Sequence, residues 1–214
     1  MDLGTMLSEA VKCGWSAGVG TLGRVTAEAR RLNLEAVASR RGEPAVSQLR
    51  PTTAEEANPH SLSAQVGLGA QPLHTDGAHQ EPPPDFLVFV SERPSSTPTW
   101  LRQVRGQDVP WGDLRGGMFL VGIGPSAFFA PALSGAGPTY RLRFDPGCMT
   151  PCDARARAAN RYLSDTVSAT RFDWASPGQV LVIDNSRALH GRGEVHDDDL
   201  NREIVRIAFR RVKA

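Results

Sequence analysis

Hydrophobic and polar positions along the chain follow two rhythms that change near Glu43. Before that point the spacing is helical in pieces. Residues 8–13 are short and amphipathic, and residues 25–41 mix Ala, Leu, Glu and Arg with few breakers, as a surface helix does. After it, Gly and Pro punctuate short runs rich in Val, Ile, Phe and Leu, the pattern of strands joined by turns. The runs at 45–49, 86–91, 118–123, 127–131, 139–144, 179–183 and 203–210 have ordinary strand lengths. One helix interrupts them over 154–163, with Asp153 as its N-cap behind Pro151. The pattern predicts a mainly β protein with flanking helices. A helical segment at residues 1–44 packs on the body at residues 45–214, within one domain overall. Strands that lack alternating helices point to an antiparallel sandwich or jelly roll rather than a parallel sheet.

Composition narrows the partners. The 214 residues carry 24 basic and 23 acidic side chains, a formal charge of +1, and 40% are hydrophobic. Such a chain can bury a sizeable core, and its balanced charge offers no clustered cation for nucleic acid. No apolar run approaches the roughly 18–20 residues of a membrane span. Cys13, Cys148 and Cys152 are too few and too oddly numbered for a disulfide framework. The opening residues have no basic stretch leading into an apolar one, so the expected location is the cytoplasm. The remaining partner class is a small molecule, and the oligomeric state is left open.

Three segments carry chemistry. In Leu73-His74-Thr75-Asp76-Gly77, His74 and Asp76 stand two apart, so an extended backbone presents both on one face. An imidazole and a carboxylate side by side can chelate a divalent metal. Gly77 lets the chain bend the pair into a cleft. More than a hundred residues later, an apolar strand runs through Asp184-Asn185-Ser186-Arg187-Ala188-Leu189 into His190 and Gly191. Two histidines and one carboxylate with other positions open make the facial triad of non-heme Fe(II) oxygenases, and His190 supplies the third ligand. In the run from Arg202 to Phe209, Arg202 and Arg206 share parity, with Val205, Ile207 and Phe209 on the opposite face. An arginine inside a β body calls for an anion, and its planar fork suits a carboxylate.

His-x-Asp, a distal His behind Asp-Asn, and an Arg some twelve residues further on resemble the taurine dioxygenase/clavaminate synthase group. The likeness runs from about Gly67 to Arg211 and includes Pro94-Ser95-Ser96-Thr97-Pro98-Thr99-Trp100, similar to a segment whose threonine helps hold 2-oxoglutarate. It implies a double-stranded β-helix, the cupin-like form of the jelly roll, and an Fe(II)- and 2-oxoglutarate-dependent dioxygenase. Such an enzyme consumes O2, releases succinate and CO2, and hydroxylates, desaturates or cyclises a small molecule, as in natural-product tailoring. It implies His74, Asp76 and His190 as iron ligands and Arg202 with Thr99 on the far carboxylate of 2-oxoglutarate. Arg206 is implied near the keto-acid end or the substrate. Two other readings use the same residues: a zinc hydrolase, and a non-catalytic small-molecule-binding β-barrel.

The other polar residues have plainer readings. His79 is a cleft-edge group, His196 and the acidic run at 197–199 form a solvated loop, and His60 has only a turn context. Cys148 and Cys152 read as free thiols in a loop, and Arg141 and Arg143 as a solvated sheet face. Asn185 reads either as a group orienting the metal histidine or as turn chemistry.

Overall fold

The computed structural model describes residues 2–40, 42–59, 61–135, 137 and 140–212. The chain opens with α1 (Leu3–Cys13), β1 (Trp15–Val19), α2 (Leu22–Arg31), β2 (Leu34–Val37), β3 (Val46–Leu49) and α3 (Leu62–Val66). Its middle holds β4 (Phe86–Ser91), β5 (Ser95–Gln103), α4 (Trp111–Gly116), β6 (Met118–Val121), β7 (Phe128–Pro131), β8 (Leu133–Ser134), β9 (Arg141–Leu142) and β10 (Met149–Pro151). Then follow α5 (Ala154–Ser164), β11 (Thr170–Trp174), β12 (Gln179–Asp184), β13 (Ala188–Arg192) and β14 (Ile204–Arg211).

The larger sheet runs β1-β12-β4-β14-β2, with β3 also paired to β14, and its pairings are antiparallel. Period-two alternation sorts its side chains. Phe86, Val88 and Val90 of β4 and Ile207 and Phe209 of β14 face outward, where Leu3, Met6, Leu7 and Ala10 of α1 and Val25 and Ala29 of α2 cover them. The inward set, Leu87, Phe89, Leu181, Ile183, Ile204 and Ala208, packs on Leu101, Trp174 and Ala188 of the second sheet, β11-β5-β13. Burying each Val, Leu, Ile, Phe or Met side chain among them removes it from water at a gain of about 1.5–3 kcal/mol. A third cluster, around Phe119, Phe144 and Leu163, fills the space beneath α4, α5 and the small sheet β10-β6-β7.

The expected strand at 86–91 and the helix capped by Asp153 are both present, the Asp153 carboxylate accepting from the Ala156 amide at 2.7 Å. Residues 1–44, expected as helices, also contribute β1 and β2 to the larger sheet. The expected helix over 25–41 stops at Arg31 because Asn33 takes a left-handed φ of 53° and turns the chain. Leu34 to Val37 then pair with β14, a tertiary contact that overrides their modest helix preference. Arg41 lies outside the described residues. The expected strand at 139–144 is reduced to Arg141–Leu142, and Thr139 is outside the described residues. The segment carrying Thr99, read without a strand, is the nine-residue β5.

Candidate metal centre

Backbone pairing brings the two histidines together. The His74 amide donates to the His190 carbonyl at 2.8 Å, and the His190 amide returns the bond at 2.9 Å, so His74 extends the sheet beyond β13. The imidazoles become cross-strand neighbours with ring centroids 4.3 Å apart. Gly191 makes this approach possible, since a Cβ there would lie 2.7 Å from the Gln71 carbonyl. Asp76 follows one pleat later, and the chain turns at Gly77, whose φ is +67°.

Asn185 fixes that turn. Its Oδ1 accepts from the Asp76 amide at 2.9 Å, and its Nδ2 donates to the Asp76 and Pro84 carbonyls at 2.9 and 3.0 Å. It therefore clamps the backbone of the carboxylate-bearing residue and does not orient a histidine. Asp184 beside it is turn chemistry, accepting from the Ser186 amide and hydroxyl.

The three side chains converge. His74 Nε2 and His190 Nε2 lie 3.4 and 3.5 Å from Asp76 Oδ1, and the three candidate ligand atoms fall within 4.8 Å of one another. Ligand atoms bound to a common ion at about 2.0–2.2 Å stand about 3.0–3.4 Å apart at ordinary bond angles, so the spacing fits an ion. His74 Nδ1 donates to the Pro72 carbonyl at 2.9 Å, which fixes the tautomer that leaves Nε2 with a lone pair. The carboxylate is divided: Oδ1 faces the histidines, and Oδ2 accepts from Arg206 Nη1 at 2.7 Å. Protonation follows from these contacts. Burial drives the Asp76 pKa upward, but Arg206 and the two imidazoles outweigh it and hold the carboxyl well below its usual range. Burial and the neighbouring His74 push His190 down, toward the neutral form a metal needs. Burial pulls His74 down as well, but Asp76 carries it above its ordinary value.

A cavity of about 420 Å³ holds this cluster, and its lining includes Thr99, Arg192, Arg202 and Arg206. Arg202 precedes β14, is only 9% exposed, and has no carboxylate within ion-pair distance among the described residues. Burial pushes its pKa down to about 10, the mark of a desolvated cation. Thr99 is buried on β5, where its Oγ1 accepts from Trp174 Nε1 at 3.0 Å, leaving the hydroxyl proton free to donate elsewhere. Arg206, expected near the keto-acid end or the substrate, lines the cavity while paired to Asp76 and Ser39.

Other residues depart from their sequence readings. Asp199, read as solvated, is buried against β5, whereas Asp197, Asp198 and His196 are exposed. Arg141 and Arg143 are not a solvated face: they bind Asp85 and the carbonyls of Ala78 and Gln80, pinning the loop before β4. His79 sits exposed at the cavity edge against the Ser39 carbonyl, as expected. Cys148 and Cys152 are free, but they flank strand β10 rather than share a loop. His60 lies outside the described residues.

No protein-family model and no curated protein matches the chain. Solved structures do. An asparagine oxygenase in complex with Fe(II), (2S,3S)-3-hydroxyasparagine and succinate is 23% identical at a TM-score of 0.61, the match covering 76% of this chain and 56% of that one. The non-heme iron oxygenase OrfP with Fe, succinate and (3S)-hydroxy-L-Arg is 20% identical at 0.63, covering 81% and 61%. OrfP with Fe and α-ketoglutaric acid is 22% identical at 0.61, covering 78% and 57%. The chain thus spans little more than half the length of these proteins. Over the matched stretches the chain shares its mainly β fold with the asparagine oxygenase and OrfP.

Proposed function

We propose that the chain is an Fe(II)- and 2-oxoglutarate-dependent dioxygenase built on a double-stranded β-helix, with residues 45–214 as the catalytic body. The observation that carries this reading is the shared cavity. His74, Asp76 and His190 form a three-ligand face, and Arg202, a buried guanidinium with no carboxylate of its own, opens into the same space. Hydrolysis at the same ligands leaves Arg202 without an anion to meet, and a non-catalytic barrel leaves the triad without a role.

Iron bound there supplies the redox chemistry that couples O2 to oxidative decarboxylation of 2-oxoglutarate and to oxidation of a substrate C–H bond. The protein's own groups do the rest. His190 offers a neutral nitrogen and His74 offers one on giving up its proton, and Asp76 Oδ1 is turned toward both because Arg206 holds Oδ2. Arg202 and the Thr99 hydroxyl receive the distal carboxylate of 2-oxoglutarate, and Phe89, packed 5.6 Å from the His190 ring, keeps that side apolar. Gln48, Arg50, Glu56, Asn58, Ser61 and Ser63 make the outer wall polar. That lining suits a small hydrogen-bonding substrate, and the hydroxylated asparagine and arginine bound by the solved proteins support an amino acid or close derivative. No described helix is long and apolar enough to cross a membrane, and a cytoplasmic setting that keeps the thiols reduced belongs to this reading.

The test is anaerobic addition of Fe(II) and 2-oxoglutarate. A weak visible charge-transfer band is expected, absent in His74→Ala. Retention of zinc through purification with no band in the wild type sinks the proposal. Succinate release across a panel of free amino acids and their derivatives then identifies the substrate class.

A further inference from the structure

Arg202 is held by a pair of residues from distant parts of the chain. The Ser95 hydroxyl has one proton and two lone pairs. Its 2.6 Å contact with Asp199 Oδ2 takes the proton, so the oxygen is left to accept, and Arg202 Nε donates to it at 3.0 Å. Asp199 Oδ2 also accepts from the Thr97 amide at 3.0 Å, and the Asp199 carbonyl accepts from the Arg202 amide at 2.9 Å. One aspartate thereby grips the start of β5 on one side and the base of Arg202 on the other. At 7% exposed it is costly to bury, and the bonds from Ser95 and Thr97 offset that cost.

The relay has a chemical consequence. A direct Asp199–Arg202 pair would neutralise the guanidinium and occupy its fork. Contact through the serine fixes Nε alone, and among the described residues no acceptor bonds the Nη groups. The guanidinium is therefore oriented while its fork stays open toward the cavity that Arg202 lines.

We propose that Asp199, acting through Ser95, is the positioning residue that aims Arg202 at the distal carboxylate of the co-substrate; the inference rests on the oxygenase reading above. It is tested on the full chain loaded with Fe(II) under anaerobic conditions. The dissociation constant of 2-oxoglutarate is read from the charge-transfer band, and that of Fe(II) from competition with a chelator. Ser95→Ala removes the relay but keeps the Asp199–Thr97 bond, and is expected to weaken 2-oxoglutarate about tenfold while Fe(II) shifts by less than about twofold. Ser95→Thr restores a hydroxyl and should return most of the affinity. Asp199→Ala also takes from the Thr97 amide its 3.0 Å partner, so Ser95→Ala is the cleaner probe; the double variant should weaken 2-oxoglutarate no more than Asp199→Ala alone, since both residues act on the aim of Arg202. The relay is overturned if Ser95→Ala binds 2-oxoglutarate as the wild type does, or loses iron and 2-oxoglutarate in equal measure. A wild type that takes up iron but no 2-oxoglutarate overturns the oxygenase reading itself, and the relay with it.

Discussion

Arg202 and Arg206 stand four residues apart and line one cavity, yet their surroundings are opposite. Arg206 is neutralised by Asp76 at 2.7 Å, and its second Nη group is occupied by Ser39. Arg202 is buried among hydroxyls and backbone, with its nearest carboxylate held at one remove by Ser95. A paired guanidinium belongs to the architecture: it divides the two oxygens of Asp76 and sets which one faces the histidines. An unpaired one is a cost to the empty protein that only an arriving anion relieves. Two arginines on one strand approach therefore make two different statements, one about a carboxylate the protein owns and one, on the function proposed above, about a carboxylate that arrives with the co-substrate.

The sharpest way to break this contrast begins at the metal. His190→Ala removes a ligand and should lower Fe(II) affinity by more than about a hundredfold, beyond the effect usual for an outer hydrogen-bond partner. The charge-transfer band should vanish with it, because on the proposed function the band would require iron held at the triad together with 2-oxoglutarate. Arg202→Met should act on one ligand only. Binding of 2-oxoglutarate is expected to weaken roughly 30- to 1,000-fold, for a loss of about 2–4 kcal/mol, with Fe(II) affinity nearly unchanged. Calorimetric titration separates the two, and equal losses would mean that Arg202 supports the fold rather than the co-substrate.

Stability should then move in opposite directions at the two arginines. In the metal-free protein Arg206→Met strands a buried carboxylate, an expected loss of about 1–3 kcal/mol, scaled down from fully buried pairs because Arg206 keeps some exposure to the cavity. Arg202→Met removes a buried cation with no directly paired carboxylate among the described residues and should leave the melting temperature unchanged or raised. Thermal denaturation of the two variants side by side is the measurement, and a matching fall in both would erase the distinction.

Acidity offers a smaller handle. His74 is raised above its ordinary pKa of 6.5 by Asp76 despite burial, whereas His190 is lowered. An incoming ion must displace the His74 proton, so apparent metal affinity should begin to fall at a pH above 6.5 and lose about tenfold per unit below that. His190, held neutral, adds a second proton only at lower pH. Chelator competition between pH 5.5 and 8 reads the slope, and a flat profile would mean that the Asp76 carboxylate does not raise the His74 pKa as its contacts imply.

What the sequence made legible divides along the same line. The His74–Asp76 pair, the opposite facing of Arg206 and its neighbours Val205, Ile207 and Phe209, and the apolar strand at 86–91 were readable because each depends on local spacing, whereas His190, more than a hundred residues on, was legible only as a histidine before a glycine behind an apolar strand. Strand β5 was not, because Pro98 interrupts its pattern. The ladder tolerates that proline where the β5–β11 register shifts between Phe172 and Trp174, so no amide is required there. Asp199 was hidden for another reason: within an acidic run nothing marks the one member whose partners, Ser95 and Thr97, lie more than a hundred positions away. Asn33 is a local stop signal, an asparagine at a helix end in the left-handed region that glycine more often fills.

Cys148 provides the mildest probe, since altering it should touch neither iron nor co-substrate. Cys148 lines the same cavity, and burial, reinforced by Asp145, pushes its thiol pKa up to about 12. Only the thiolate alkylates, so at pH 8 Cys148 stays almost wholly in its unreactive thiol form. Cys13 and Cys152 are exposed on the surface. In the native protein iodoacetamide should therefore modify both of them at least about a hundredfold faster than Cys148, and all three should react alike in denaturant. Peptide mass spectrometry over a time course measures the rates. Rapid native labelling of Cys148 would mean that water reaches this wall freely, and the same water would then screen Arg202, so even this small result bears on whether the unpaired guanidinium is desolvated enough to demand an anion.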